Sequence, residues 1–150
     1  MKQQLQQDIF ETFGELDMGD RKEFVELNRV VRPTEWDDNI ERFVPTAKGG
    51  IVFHFYINQL QQTLTYTWAV CHPDDNFSRK LGAKIAKQRF DGLYKSSSQN
   101  DLIQTITYDR TIPLTENVVK DLHYRYNTKS GKEWSKELYT MYTTLRNLVY

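Results

Sequence analysis

Cys71 and His72 stand side by side, and Asp74, Asp75 and Asn76 follow just after Pro73. A thiol beside an imidazole at a helix start is one way to lower a thiol pKa and make a nucleophile. Two neighbouring carboxylates can share acid–base work or hold a divalent cation, and with His72 they would suit a nuclease or phosphodiesterase. Each feature also has a plainer reading. A cysteine that ends a strand is commonly a small core residue. Asp74, Asp75 and Asn76 are N-cap types, with acidic charge where a helix dipole favours it. Three histidines (His54, His72, His123) and one cysteine are too few and too scattered for a zinc site. There is no phosphate-cradling glycine loop, dinucleotide fingerprint or Gly-x-Ser-x-Gly elbow. The chain therefore reads as a non-enzyme with no catalytic residue, metal or cofactor.

Binding chemistry is better represented. Arg79, Lys80, Lys84, Lys87 and Arg89 crowd one stretch that carries helical spacing up to Gly92. Pro73 cannot donate to a ladder, so a strand is expected to stop there and the helix to begin at the Asp-Asp-Asn turn. On a helical wheel Phe77, Leu81 and Ile85 form the buried stripe. Lys80, Lys84 and Lys87 share one flank, and Arg79 and Arg89 lie on the other beside Gly82 and Ala86. A mid-helix glycine costs about 1 kcal/mol relative to alanine, so Gly82 serves either close packing or room for a ligand. Exposed N–H groups at a helix start together with cations suit an anion, and the arginine fork suits phosphate. Phe53, Phe55, Tyr56, Tyr66 and Trp68 could offer flat faces to a base, and Asn58 could bond a base edge. The plain alternative is that one face of this aromatic hairpin is core.

The elements that must position these residues follow from the patterning. Ile51, Phe53, Phe55 and Ile57 alternate with a second set, as do Leu64, Tyr66, Trp68 and Val70. A polar turn at 58–62 makes the two runs a hairpin. Residues 2–13 suit a short amphipathic helix through Leu5, Ile9 and Phe13, and Gly14 and Gly19 bracket an acidic turn. Residues 22–32 fit either a helix or an edge strand, 34–43 a short helix or turn with Trp36, Ile40 and Phe43 on one side, and Lys48-Gly49-Gly50 a turn. Residues 95–100 read as a linker and 102–108 as a returning strand. The last third is helical: Pro113 opens one helix with Val118, Leu122 and Tyr126 in a stripe. Ser130 and Glu133 have capping-box spacing before a second, in which Trp134, Leu138, Tyr142, Leu145 and Val149 share a face. The fold class is α+β: a small antiparallel β-sheet with a central hairpin at about 51–71, a packed helix at about 75–90, and two C-terminal helices, in one domain spanning 1–150.

Composition bounds the function. Lys+Arg and Asp+Glu are equal at 20 each, which argues against general nucleic-acid binding but not against a local basic patch. One cysteine allows no internal disulfide and fits a reducing compartment. With no apolar leader and no long apolar run, a soluble, non-exported protein away from the membrane is expected.

The run Cys71-x-Pro73-x-Asp75-Asn76-Phe77-Ser78-Arg79-Lys80-x-Gly82-x-x-Ile85-Ala86 resembles a motif of small bacteriophage accessory proteins. Among these it is most similar to the Thoeris anti-defence proteins, sponges for cyclic ADP-ribose-type signals. The resemblance covers residues 71–89. It implies a non-enzymatic homo-oligomer in the cytoplasm of an infected host cell that sequesters a nucleotide-derived immune signal. Its pockets would use strand aromatics and asparagine with helix arginines, partly across a subunit interface. Arg79 matches the pattern, while a second arginine expected one turn later is replaced by Ala83, with Lys84 beside it. On this reading Arg79, Lys80 and Lys84 hold phosphates, with Arg89 nearby. Asn76, Phe55, Trp68 and Asn58 contact base or ribose. The alternative is a phage inhibitor that binds a host or defence protein through a protein interface, with Tyr139, Tyr142 and Tyr150 of the last helix as its surface.

Overall fold

The period-two runs around residues 51–57 and 64–70 set the architecture, because they make strands with two different faces to cover. The computed structural model describes residues 23–94, 101–128 and 133–149. In chain order these form β1 (Phe24–Val31), β2 (Thr34–Asp37), β3 (Arg42–Pro45), β4 (Lys48–Asn58), β5 (Thr63–Asn76), α1 (Arg79–Leu93), β6 (Gln104–Thr107), α2 (Leu114–Tyr126) and α3 (Lys136–Val149). The α+β class is the one read from the sequence. The expectations for 2–13, for Gly14 and Gly19, for the linker at 95–100, for Ser130 and for Tyr150 lie outside the described residues.

A four-stranded sheet in the order β1-β4-β5-β6 is antiparallel throughout. One face carries Ile51, Phe53, Phe55, Ile57, Leu64, Tyr66 and Trp68, which form a core with Val118 and Leu122 of α2 and Leu138, Met141, Tyr142 and Leu145 of α3. The other face is covered by α1. There Phe90 packs on the rings of His54 and Tyr56, and the Thr67 hydroxyl donates to the Ala86 carbonyl at 2.6 Å. The central strands are thus buried on both sides, so the residues alternating with the apolar set are interior as well.

Several local expectations are corrected. The strand does not stop at Pro73; β5 runs to Asn76. Gly50 pairs with Cys71 and Lys48 with Asn76, so the segment 72–75 bulges opposite Gly49, and a proline there removes no ladder bond. Gly49 and Gly50 have positive φ and belong to β4, not to a separate turn. Because Phe77 N still donates to Ala47 O at 2.9 Å, the helix begins only after it. Its N-cap is Ser78, whose Oγ accepts from Leu81 N, and not the Asp-Asp-Asn run. The stripe of α1 that faces the sheet is Gly82-Ala86-Phe90, with Ala86 and Phe90 buried, one residue round from the expected Phe77-Leu81-Ile85; Leu81 is 56% exposed. The reason is Gly82 itself: a Cβ there would lie 2.5 Å from Val52 Cγ2, so the helix rests its bare side on the sheet. Residues 22–32 resolve to the edge strand β1. Residues 34–43 are not a helix, since β2 and β3 form a separate two-stranded sheet with Trp36 opposite Phe43. In α3 the cap is Ser135, whose Oγ accepts from Leu138 N at 3.1 Å, so Glu133 lies before the helix.

Candidate functional site

The residues singled out for a ligand do not converge. Phe55 and Trp68 are 0% and 1% exposed in the core between the sheet and α2–α3. The cations of α1 are on the opposite side of the sheet. This corrects the expected pairing of strand aromatics with helix arginines: the aromatic face was core, and a ligand cannot reach it without unpacking the domain. Asn58 lies at the far end of β4, where its Oδ1 accepts from Gln61 N and closes the turn. Ten strand positions, roughly 33 Å, separate it from the partner of Asn76. Arg89 is taken up structurally, its Nη1 donating to the Trp68 carbonyl at 3.1 Å. Lys87 pairs with Glu26 at 2.9 Å and Asp91 at 3.1 Å. Arg79, Lys80 and Lys84 remain exposed, with no ion pair to any described residue.

Between the start of α1 and the end of β5 lies a cleft of about 190 Å³, lined by Asn76, Phe77, Leu81, Gly82 and Cys71 among others. It is smaller than the roughly 300–1,000 Å³ of sites that enclose small molecules. Its chemistry is quiet. The Cys71 thiol lies 3.4 Å from the Asp75 carbonyl and 3.7 Å from that of Asn76. At these distances the sulfur is a weak S–H donor to both backbone carbonyls. His72 Nδ1 accepts from Asp74 N at 3.1 Å, so the ring serves its own turn. Among the described residues no cluster of three His, Cys, Asp or Glu could hold a metal ion.

A second, larger cavity went unnoticed in the sequence. It is a groove of about 620 Å³ between α2 and α3, lined among the described residues by Lys120, His123, Tyr124, Asn127, Thr128 and Arg146. Lys120, His123, Tyr124 and Asn127 follow the i, i+3, i+4, i+7 spacing of one helical face, turned away from the stripe that buries Val118 and Leu122. That spacing was the available signal. Tyr124 is 74% exposed, a ring with little of its surface covered. Arg146 holds its guanidinium 5.3 Å over the Tyr142 ring, which fixes its position, and no described residue hydrogen-bonds or ion-pairs with it. His123 Nδ1 is 2.9 Å from the Tyr142 hydroxyl, tying the imidazole to α3. Asn127 Nδ2 donates to the His123 carbonyl at 2.9 Å and leaves its own Oδ1 as an acceptor. Tyr142 is 1% exposed, which removes it from the surface expected for the C-terminal helix; Tyr139 stays 42% exposed. No described residue lining the groove is acidic.

A polar cluster ties α2 to the sheet beside this groove. Arg125 donates to the Gln104 side chain and lies 3.5 Å from Asp121. Burial pushes the Asp121 carboxyl up from its ordinary range, with Arg125 opposing. Burial, helped by the Asp121 charge and opposed by Arg125, likewise pushes the Tyr66 phenol up.

No family model, no curated protein and no solved structure matches the chain. No described helix is long and apolar enough to cross a membrane.

Proposed function

We propose that this chain is a non-catalytic binding protein that sequesters a nucleotide-type anion, with the α2–α3 groove as the pocket. The observation that carries the reading is the groove itself: Lys120, His123 and Arg146 around a 620 Å³ space beside the exposed ring of Tyr124. Two cations suit phosphate oxygens, and an open aromatic face suits a base. Among the described residues lining the groove, none pairs a nucleophile with a free base, which fits capture without turnover. Together with the resemblance of residues 71–89 to sponge proteins, this supports a phage anti-defence role, the removal of a nucleotide-derived immune signal.

The test is a thermal-shift screen of cyclic nucleotides and of linear and cyclic ADP-ribose against wild type, Arg146→Ala, Tyr124→Ala and Arg79→Ala. A ligand at a hundredfold excess over its Kd stabilises the native state by about 2.7 kcal/mol, which is a rise of several degrees in Tm. The expected result is a shift that Arg146→Ala weakens by about 1.5–3 kcal/mol of binding, or roughly ten- to a hundredfold in affinity. A shift lost in Arg79→Ala but kept in Arg146→Ala would move the site to α1. No shift with any of these ligands would sink the nucleotide reading. Ligand released by heat and recovered chemically altered would overturn sequestration in favour of catalysis.

A further inference from the structure

The β2–β3 hairpin is the part of the molecule least explained by its own packing. Among the described residues it pairs with no other strand, and Trp36, Ile40 and Phe43 are 52%, 49% and 66% exposed. Trp36 and Phe43 meet edge to face at 5.2 Å across the strands, so the arm presents a joined aromatic surface. Its turn is shaped: Asp37 Oδ1 accepts from Asn39 N at 2.9 Å, and Glu41 takes a φ of 51°. A two-stranded hairpin alone is marginal in water, and a contiguous exposed apolar patch marks an interaction site. The arm is also acidic: Glu35, Asp37, Asp38 and Glu41 face a single arginine, Arg42.

A surface of opposite character lies on the same chain. Leu81, 56% exposed, stands on α1 beside the flank that carries Lys80 and Lys84, with Arg79 in the first turn on the other flank, and next to it opens the cleft of about 190 Å³. That space is of the scale of an inserted side chain. The two surfaces sit at one end of the molecule. Arg32, at the foot of the arm, holds its guanidinium 4.5 Å over the ring of Phe77, which lines the cleft. Ala47, just past β3, accepts from Phe77 N. The arm does not fold back onto its own cleft, because its aromatics are open.

We infer that this end of the molecule is a self-association surface: the acidic aromatic arm of one copy docks on the basic α1 face and cleft of a second, reciprocally. An arm and a receptor side by side make a self-complementary patch, and such a patch closes as a two-fold dimer with two equal contacts. Four carboxylates against Arg79, Lys80 and Lys84 give the pairing its sign and make it sensitive to salt. This inference does not depend on what the α2–α3 groove binds.

The experiment is sedimentation of the full chain over a concentration series at low and high salt. It compares wild type with Trp36→Ser/Phe43→Ser, with Lys80→Glu/Lys84→Glu, and with the latter combined with Glu35→Lys/Asp38→Lys. All these positions are at the surface, and a circular-dichroism melt checks that each variant folds. Wild type is expected to dimerise, more weakly in high salt. The arm variant is expected to be monomeric. The α1 charge reversal weakens the dimer at least tenfold, and the compensating reversal on the arm restores it. An arm variant mixed with an α1 variant gives a mixed dimer through the one contact left intact. Wild type monomeric at every concentration overturns the inference. So does a dimer that survives the arm variant, or one broken by the arm variant yet indifferent to both charge reversals.

Discussion

At Gly82 a single missing atom sets how closely α1 lies on the sheet. A mid-helix glycine was legible in the sequence as a position where something uses the lack of a side chain, and that something is Val52, 1% exposed and stiff at χ1. Gly82→Ala gains about 1 kcal/mol of helix propensity. It also drives a Cβ to 2.5 Å from Val52 Cγ2, and overpacking of this kind costs about 1–3 kcal/mol. Packing wins, so the variant is expected to be less stable than wild type. Gly92 is the control, because a Cβ there meets nothing within 4 Å and Gly92→Ala should gain stability. Urea unfolding of both variants, and of Gly82→Ala with Val52→Ala, checks this. If Gly82→Ala were as stabilising as Gly92→Ala, the close approach would be wrong. What the sequence could not show at this scale was which aromatics are buried. Phe55 and Trp68 have the residue types of a stacking platform and of a core alike, and only the position of the C-terminal helices decides between them.

Elements with a strong internal period were legible, and elements defined by a neighbour were not. The β4–β5 hairpin follows from alternation over long strands. The β2–β3 arm did not, because four-residue strands offer too few positions, and Trp36, Ile40 and Phe43 also fit helical spacing. The start of α1 was misplaced by three cap-type residues in a row. Asp74 and Asp75 lie in the strand extension that bulges opposite Gly49, Asn76 pairs with Lys48, and the cap passes to Ser78. Ser78→Ala is therefore expected to cost about 1 kcal/mol, whereas Asp75→Ala, at an exposed position outside the helix, should change stability by less than about 0.5 kcal/mol. Chemical denaturation of the two variants measures the difference, and equal losses would return the cap to the acidic run.

Over the whole molecule, the candidate site is a product of assembly. Lys120, His123 and Tyr124 are visible as a stripe on α2, but Arg146 joins them only because α3 packs alongside, which no local pattern announces. The same holds for the α1 side of the sheet, where three elements meet on one histidine. His54 on β4 is 4% exposed. Its Nδ1 is 3.2 Å from Asn28 Oδ1 on β1, and its ring packs at a tilt on Phe90 of α1, centroids 4.8 Å apart. Nε2 lies 3.1 Å from Glu26 Oε2, off the line of a good hydrogen bond. Glu26 is shared with Lys87, which also reaches Asp91. Burial lowers the His54 pKa below its ordinary 6.5, and the nearby carboxylates only partly oppose it. The unfolded chain therefore binds this proton more readily than the native one. The stability this gives is present above pH 6.5 and is lost as pH falls from there towards the lower native value. Wild type should weaken between pH 7.5 and 5.5, a range above most carboxylate titrations, while His54→Gln should show a flatter profile there whatever its stability at pH 7.5. Equal slopes for the two proteins would mean that the layers are not linked through this proton, and the acid sensitivity of the fold would have to be sought among its carboxylates.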